Sequence, residues 1–352
     1  MTKALAGVKD PELGRDVVSL GMIEGISIKG GKVTFTLNLT TPACPLRTRL
    51  ENAAKEAVMS LPGVTEVDMK TGSVVYATRD TTQTEVLAGV KNIIAVASGK
   101  GGVGKSTVSV NLAVALASSG AKVGILDADV YGPNIPHMMG VSGADATVKD
   151  GMISPPVAHG IKVASLGFFY TDETPVIWRG PLVAGAVKQL LTQVDWGELD
   201  YLICDLPPGT GDASLTLAQT VPLGGIVIVT TPQEAALSIA AKALAMFRRL
   251  DVPIIGVVEN MSYYICPHCG EKAHIFSSGG GRKIASELNV DFLGEIPLVT
   301  VVREQSDAGV PIVAARPESP EAANFKEFAF RVAGIVSIVA FAKMNKKREE
   351  GR

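Results

Sequence analysis

Aromatic residues, charge and cysteine are all scarce in this sequence. Of 352 residues only 5% are aromatic and 19% charged, while 47% are hydrophobic. A chain too polar to bury a core has the opposite balance, so intrinsic disorder is excluded. Lys plus Arg number 33 and Asp plus Glu 35, a formal net charge of −2. Without a basic excess, a role that rests on gripping nucleic acid or anionic lipid is not expected. The longest near-continuous apolar stretch, residues 332–342, is about half the ~20 residues that a membrane span needs. Met1-Thr-Lys-Ala-Leu-Ala-Gly contains no apolar run of signal-core length, so a cytoplasmic protein free of the membrane is expected. The four cysteines, Cys44, Cys204, Cys266 and Cys269, are too few and too unevenly spaced for a disulfide framework. In a reducing compartment each is then a candidate for metal or redox chemistry.

Residues 1–77 read as a small α/β domain. Asp10-Pro11-Glu12 has the form of a helix start. Residues 22–28 and 32–39 alternate as strands across Gly30-Gly31, a hairpin signal. Residues 46–61 have helical spacing and stop at Pro62-Gly63, and 64–70 reads as a further strand. A polar linker begins at 78 and runs to 92. From 93 to 352 short apolar runs (93–97, 123–126, 201–204, 226–229 and 254–258) alternate with helical stretches. That pattern predicts an α/β fold with a mostly parallel sheet covered by helices on both faces. After Ser319-Pro320-Glu321, residues Phe325, Phe328, Val332, Ile335, Val336 and Val339 fall on one helical stripe. The last ten residues, KMNKKREEGR, are expected to fray.

Glycine is plentiful, at 37, and some of it has a purpose. Directly after the run 93–97 comes Ser98-Gly99-Lys100-Gly101-Gly102-Val103-Gly104-Lys105-Ser106-Thr107, followed by a helical stretch. This fits the phosphate-binding pattern G-x-x-x-x-G-K-[ST] in its required strand–loop–helix setting, and predicts a P-loop NTPase. Backbone N–H groups from Gly99 to Thr107 would cradle the phosphates of ATP, at a helix N-terminus that favours anions. Lys105 would reach the β- and γ-phosphates, and the Ser106 hydroxyl would ligate Mg²⁺.

Lys100 is a second cation in the same loop, where its charge repels Lys105 unless an anion lies between them. The arrangement GKGGVGKST resembles the deviant Walker A group, which includes the nitrogenase iron protein, septum-site and chromosome-partition ATPases and iron–sulfur carriers. The resemblance implies that Lys100 reaches the partner's nucleotide across a homodimer. It also implies roles for Asp127-Ala-Asp129-Val-Tyr-Gly-Pro-Asn and Asp205-Leu-Pro-Pro-Gly209-Thr-Gly-Asp212. Asp129 would orient the attacking water, with Asp127 close to the magnesium shell. Asp205 would hold Mg²⁺ through water, and the Gly209 N–H would sense the γ-phosphate. Asn260 would contact adenine, with the Pro297 segment a weaker candidate. Taken singly, each of these aspartates is equally a turn or cap residue, and Asp212 stays open between the two.

Cys266-Pro-His-Cys269-Gly lies in a loop beyond Asn260. Two thiolates at this spacing grip one metal, but a closed site needs about four ligands. Two subunits about a two-fold axis would supply four, enough for a bridging 4Fe–4S cluster. Three other readings remain open: a thioredoxin-like redox pair, a structural zinc completed by His268 or His274, and a loop pair without metal. Cys204, inside an apolar strand, reads as a core thiol. Cys44 lies between Pro42 and Pro45 at a helix entrance, where the dipole would lower its pKa. It is either a reactive or transiently metal-binding thiol, or a structural one.

Together GKGGVGKST, DADVYGPN, DLPPGTGD and CPHCG make residues 93–340 resemble the Mrp/ApbC family of iron–sulfur cluster carrier ATPases. The first domain, with DPELGRDVVSLGMI and TTPACP, resembles the small assembly domain related to PaaD and SufT. The resemblance implies an ATPase with Lys100, Lys105, Asp129 and Asp205 as catalytic residues. It would receive an iron–sulfur cluster from upstream scaffold proteins, hold it on Cys266 and Cys269 between two subunits, and pass it to apo-proteins. One rival is a membrane- or partner-positioning ATPase of the septum-site type with a structural zinc, using Lys343, Lys346, Lys347 and Arg348. Another, an electron-transfer reductase, lacks the two distant cysteine loops it would need.

Overall fold

The computed structural model describes residues 1–79, 87–130, 132–144, 147–149, 151–169, 180–209 and 211–350. They group by contact into two units, Met1–Tyr76 together with Ala333–Arg352, and Ala77–Val332.

The first unit contains α1 (Thr2–Leu5), β1 (Lys9–Asp10), β2 (Arg15–Asp16), β3 (Ile23–Lys29), β4 (Lys32–Leu39), α2 (Arg47–Met59) and β5 (Glu66–Ser73). Gly30 and Gly31, at φ 54° and 85°, turn β3 back onto β4, while β5 joins β4 in parallel. Alternate β4 residues Val33, Phe35, Leu37 and Leu39 are buried, facing the Leu50, Ala54 and Val58 stripe of α2 in a shared core. The helix expected at Asp10 is absent. Instead β1 pairs antiparallel with β2, and the Asp10 carboxylate accepts the N–H groups of Glu12 (2.8 Å) and Leu13 (3.1 Å). Asp-Pro serves a turn as well as a helix cap, and Gly14, at φ 65°, carries the chain into β2 instead of onward helically.

The second unit runs β6 (Val90–Ser98), α3 (Lys105–Ser118), β7 (Val123–Asp127), α4 (Ile135–Met138), β8 (Thr147–Lys149), β9 (Met152–Ser154), β10 (Val157–Ala158), β11 (Ile161–Ser165) and α5 (Gly180–Gln193). It continues through β12 (Leu199–Asp205), α6 (Asp212–Thr220), β13 (Gly225–Thr230), α7 (Glu234–Arg249), β14 (Ile254–Ile265), β15 (Lys272–Ala273), α8 (Gly280–Glu287), β16 (Phe292–Leu298), α9 (Thr300–Asp307), α10 (Ile312–Ala315) and, as far as Val332, α11 (Pro320–Glu350). The main sheet has the order β10-β11-β7-β12-β6-β13-β14, with β15 and β16 both on β14. Its strands from β11 to β14, and β16 on β14, are parallel. Every residue of β7 and β13 is buried, so side chains on both faces of the sheet are covered, as the continuous apolar runs predicted.

Residues 80–86 of the expected linker lie outside the described residues, and 90–92 already belong to β6. The last helix starts where expected, with the Ser319 hydroxyl accepting the Ala322 N–H at 3.2 Å. It continues through Glu350. Its portion from Ala333 groups with the first unit, whereas the sequence pattern left all of 93–352 together. The cause is local packing: Phe341 enters the N-terminal core and meets Tyr76 edge-on at 4.8 Å. Among the described residues no helix is long and apolar enough to cross a membrane.

Candidate functional site

The phosphate loop leaves the C-terminal end of β6 and turns into α3. Gly104 precedes that helix at φ 80°, and a Cβ there would collide with the Asn260 amide. Asn260, buried on β14, donates from Nδ2 to the Val103 carbonyl at 2.8 Å, so it braces the loop across the sheet. Gly99 does not line the cleft. A Cβ on it would stand 2.6 Å from the Ile239 carbonyl carbon, so glycine is required there by the close approach of α7. Lys100 is exposed, and its carbonyl accepts the Ser98 hydroxyl at 3.0 Å.

β6, β7 and β12 are neighbours in register, which places Asp127 and Asp205 side by side at the strand ends. Asp205 is fully buried and heavily bonded. Its Oδ2 accepts Lys105 Nζ and Ser106 Oγ, each at 2.7 Å, and its Oδ1 accepts Ser109 Oγ at 2.6 Å. Lys105 also stands 3.7 Å from Asp129, so one buried cation sits between two carboxylates. A hydroxyl and a carboxylate oxygen thus meet at one point beside the loop, a hard-oxygen donor set that fits Mg²⁺. Asp127 faces inward, accepting the N–H groups of Asp129 and Ile135 and the Ser165 hydroxyl. Burial and the adjacent Asp205 carboxylate push its pKa up to about 8, against the pull of Lys105. The Gly209 N–H is engaged by the Ser98 carbonyl at 2.8 Å. Asp212 opens α6, and its side chain lies outside the described residues.

Gly101, Gly102, Gly104, Lys105, Ser106, Thr107, Asp129 and Asn260 converge on one cleft of about 540 Å³, whose far wall includes Pro297. Pattern in the sequence pointed as far as Pro297 and no further along the chain. Val302 and Arg303 of α9, with His137 of α4 and Met261 of β14, also line it. The segment TVVREQSD directly after GEIPL was the available signal, since site residues collect just beyond strand C-termini. Ser109 was also missed, because nothing in its neighbours marks a contact across 96 residues.

The cysteine pair occupies the tip of a hairpin. Tyr264 and Ile265 of β14 pair with Ala273 and Lys272 of β15, and the Cys266 N–H closes the loop on the Glu271 carbonyl at 3.0 Å. Cys269 is exposed and Cys266 partly so. The Cys266 thiol is pulled below the ordinary range by the Cys269 N–H first, then the His268 N–H and the Cys269 side chain. His274 turns instead to the Ser262 carbonyl, at 3.4 Å. Among the described residues no three His, Cys, Asp or Glu side chains are placed to hold a metal ion. A zinc site closed within one chain is therefore not formed by these residues.

The other two cysteines are core thiols. Cys204 is buried in β12, and burial raises its pKa strongly. Cys44 corrects an expectation: burial pushes it up to about 11, and Glu12 and Asp10 add to the rise. The N–H of Leu46 pulls the other way and loses. A pKa near 11 leaves roughly one thiol in a thousand ionised at pH 8. Iodoacetamide at that pH is expected to label Cys266 and Cys269 far ahead of Cys44 and Cys204, as peptide mass mapping would read directly. Rapid labelling of Cys44 in the folded protein would contradict its burial.

The chain is similar to known proteins over most of its length. A family profile described as NUBPL iron-transfer P-loop NTPase matches residues 89–333, and one described as iron-sulfur cluster assembly protein matches residues 2–69. The chain is 51% identical over 341 residues to the iron-sulfur cluster carrier protein of Synechocystis sp., spanning 96% of this chain and 97% of that one. It is 48% identical over 255 residues to the iron-sulfur cluster transfer protein NUBPL of Dictyostelium discoideum, spanning 72% and 79%. A nucleotide-binding protein from Archaeoglobus fulgidus, solved with ADP, is 41% identical with a TM-score of 0.60, covering 71% of this chain and 97% of that one. The septum site-determining protein MinD of Pyrococcus horikoshii, at 24% identity and a TM-score of 0.51, shares the fold alone. With a P-loop, a braced acidic cleft and a family match over most of its length, the chain belongs to the NUBPL iron-transfer P-loop NTPases.

Proposed function

We propose that this protein is an ATP-hydrolysing iron–sulfur cluster carrier that binds its cargo between two copies of the chain and delivers it to apo-proteins. One observation carries the reading: β14 lines the nucleotide cleft with Asn260 and ends at Ile265, immediately before the partly exposed Cys266 and the exposed Cys269. Two thiols on a hairpin tip, with no third ligand among the described residues, hold a cluster once a second copy adds two more. Upstream scaffold proteins supply the cluster.

In the nucleotide site Lys105 leaves its carboxylate partners for the phosphates of ATP. Ser106 and, through water, Asp205 would hold Mg²⁺, which would supply positive charge against the phosphates. Asp129, 3.7 Å from Lys105, orients the attacking water. The Gly209 N–H exchanges the Ser98 carbonyl for the γ-phosphate. Lys100, already exposed, reaches the nucleotide of the second copy. Asn260 lies against the base, and the protein works in the cytoplasm. The positioning-ATPase alternative has no comparable support: its relatives share only the fold, and the zinc it needs has no third ligand among the described residues.

Anaerobic reconstitution with iron and sulfide tests the reading, with Cys266→Ala alongside. The expected product has about four iron and four sulfide per pair of chains and a doubled mass, both lost in the variant. Retention of zinc in place of a sulfide-bearing chromophore would overturn it.

A further inference from the structure

We propose that Ser109 is a positioning residue for magnesium: its hydroxyl fixes the Asp205 carboxylate so that Oδ2 is presented to Ser106 and to the water through which Asp205 would hold the metal. This rests on the reading of Asp205 as a holder of Mg²⁺ and assigns the next residue outward.

Three side chains from the start of α3 converge on that one carboxylate. Residues 105 and 109 are separated by one helical turn and 106 flanks them, so all three face β12. Lys105 and Ser106 both bond Oδ2, which leaves Oδ1 to Ser109 alone among these three. Ser109 and Asp205 are both fully buried, so bulk water does not compete for the bond between them.

An ordinary explanation for a serine inside a helix is a hydroxyl bonded to the carbonyl four residues back. Here that carbonyl, of Lys105, lies 3.1 Å away, against 2.6 Å for Asp205 Oδ1. A hydroxyl has one proton, and the shorter contact to a carboxylate oxygen takes it. The terminal torsion of an aspartate is broad and two-fold, so a carboxylate held from one side only can turn. With Ser109 on Oδ1, Asp205 is gripped at both oxygens, and the oxygen facing Ser106 stays in place before and after Lys105 departs. Outer-shell partners of a metal typically alter its affinity by about 10- to 100-fold, and because Asp205 acts through water and Ser109 stands behind it, the lower end of that range is expected.

Mn²⁺, which favours the same oxygen donors, reports the site by electron paramagnetic resonance without turnover. Full-length protein, Ser109→Ala and Ser109→Thr are titrated with Mn²⁺ in the presence of ADP. ADP affinity in chelator and the thermal unfolding midpoint are measured beside them. The expected result for Ser109→Ala is a loss of Mn²⁺ affinity of about 10-fold, with metal-free ADP affinity unchanged and a cooperative unfolding transition kept at a midpoint a few degrees lower, as the loss of one buried hydrogen bond requires. Ser109→Thr, which keeps the hydroxyl, stays within threefold of the parent. Undiminished Mn²⁺ binding in Ser109→Ala would reduce the residue to a helix serine bonded to Lys105. An equal loss in folded Ser109→Thr would transfer the effect from the hydroxyl to side-chain volume and overturn the assignment. Asp205→Asn separates the two levels: if it too leaves Mn²⁺ affinity unchanged, the magnesium role of Asp205 fails, and Ser109 with it.

Discussion

A Lys105→Ala variant is expected to lose about 100- to 1,000-fold in ATP turnover. Lys105 is 6% exposed and stands between Asp205 and Asp129, so its charge acts in a site that excludes most water. Phosphoryl transfer relies on positioning and charge stabilisation, and a buried cation is worth far more there than at a surface. Its removal also leaves two carboxylates facing the incoming phosphates without the cation that separates them. Lys105→Arg is not expected to restore the rate, because a planar fork cannot fill the place of a compact ammonium in so enclosed a position. Phosphate release under single-turnover conditions measures both variants. A rate above a tenth of the parent's in Lys105→Ala would place the catalytic charge elsewhere.

The second large effect is on stability. Glu259 is fully buried on β14; its carboxylate accepts the Ser262 hydroxyl at 2.6 Å and the Gly281 N–H at the start of α8. The fit is close, since a Cβ on Gly281 would stand 2.9 Å from the Glu259 Cβ. Glu259→Ala strands a buried hydroxyl and removes the acceptor for a helix N-terminus, together costing about 2–3 kcal/mol. For a unit of this size the thermal midpoint is expected to fall by roughly 4–12 °C. Ser262 and Gly281 bracket the cysteine hairpin, so cluster occupancy after reconstitution should fall as well. Glu259→Gln keeps an acceptor for one of the two donors and should recover about half the loss. Calorimetry together with the cluster's visible absorbance checks both claims, and a shift under 2 °C in Glu259→Ala would remove Glu259 from this role.

Residues whose environment is set by near neighbours were the legible ones. The parallel strands announced themselves as continuous apolar runs, and their ends located Asp127, Asp205 and the glycines after Ser98. The Asp10 turn was misread because an aspartate accepts the next N–H groups alike in a turn and at a helix cap. At Cys44 the dipole argument used only the nearby helix, and burial by residues far along the chain outweighed it. β14 was foreseen only to 258, yet it continues to Ile265, past Met261 at a left-handed φ of 55°. Its register against β16 shifts between Asn260 and Tyr264, so the even alternation that marks a strand is broken there. Ser109 and Glu259 act through partners 96 and 22 residues away, and local pattern carries no trace of such pairs.

The course of α11 bears on the order in which the chain folds. The core of the N-terminal unit includes Phe341, with Met344 packed against it, both more than 260 residues beyond Tyr76. During synthesis the first 76 residues leave the ribosome early yet lack that wall until nearly the whole polypeptide has been made. Loop closure over such a separation is slow relative to hairpin or helix formation, so the segment made first is completed last. A cut after residue 76 therefore does not liberate a finished domain: it exposes Tyr76 and the apolar residues around it, which the C-terminal helix otherwise covers.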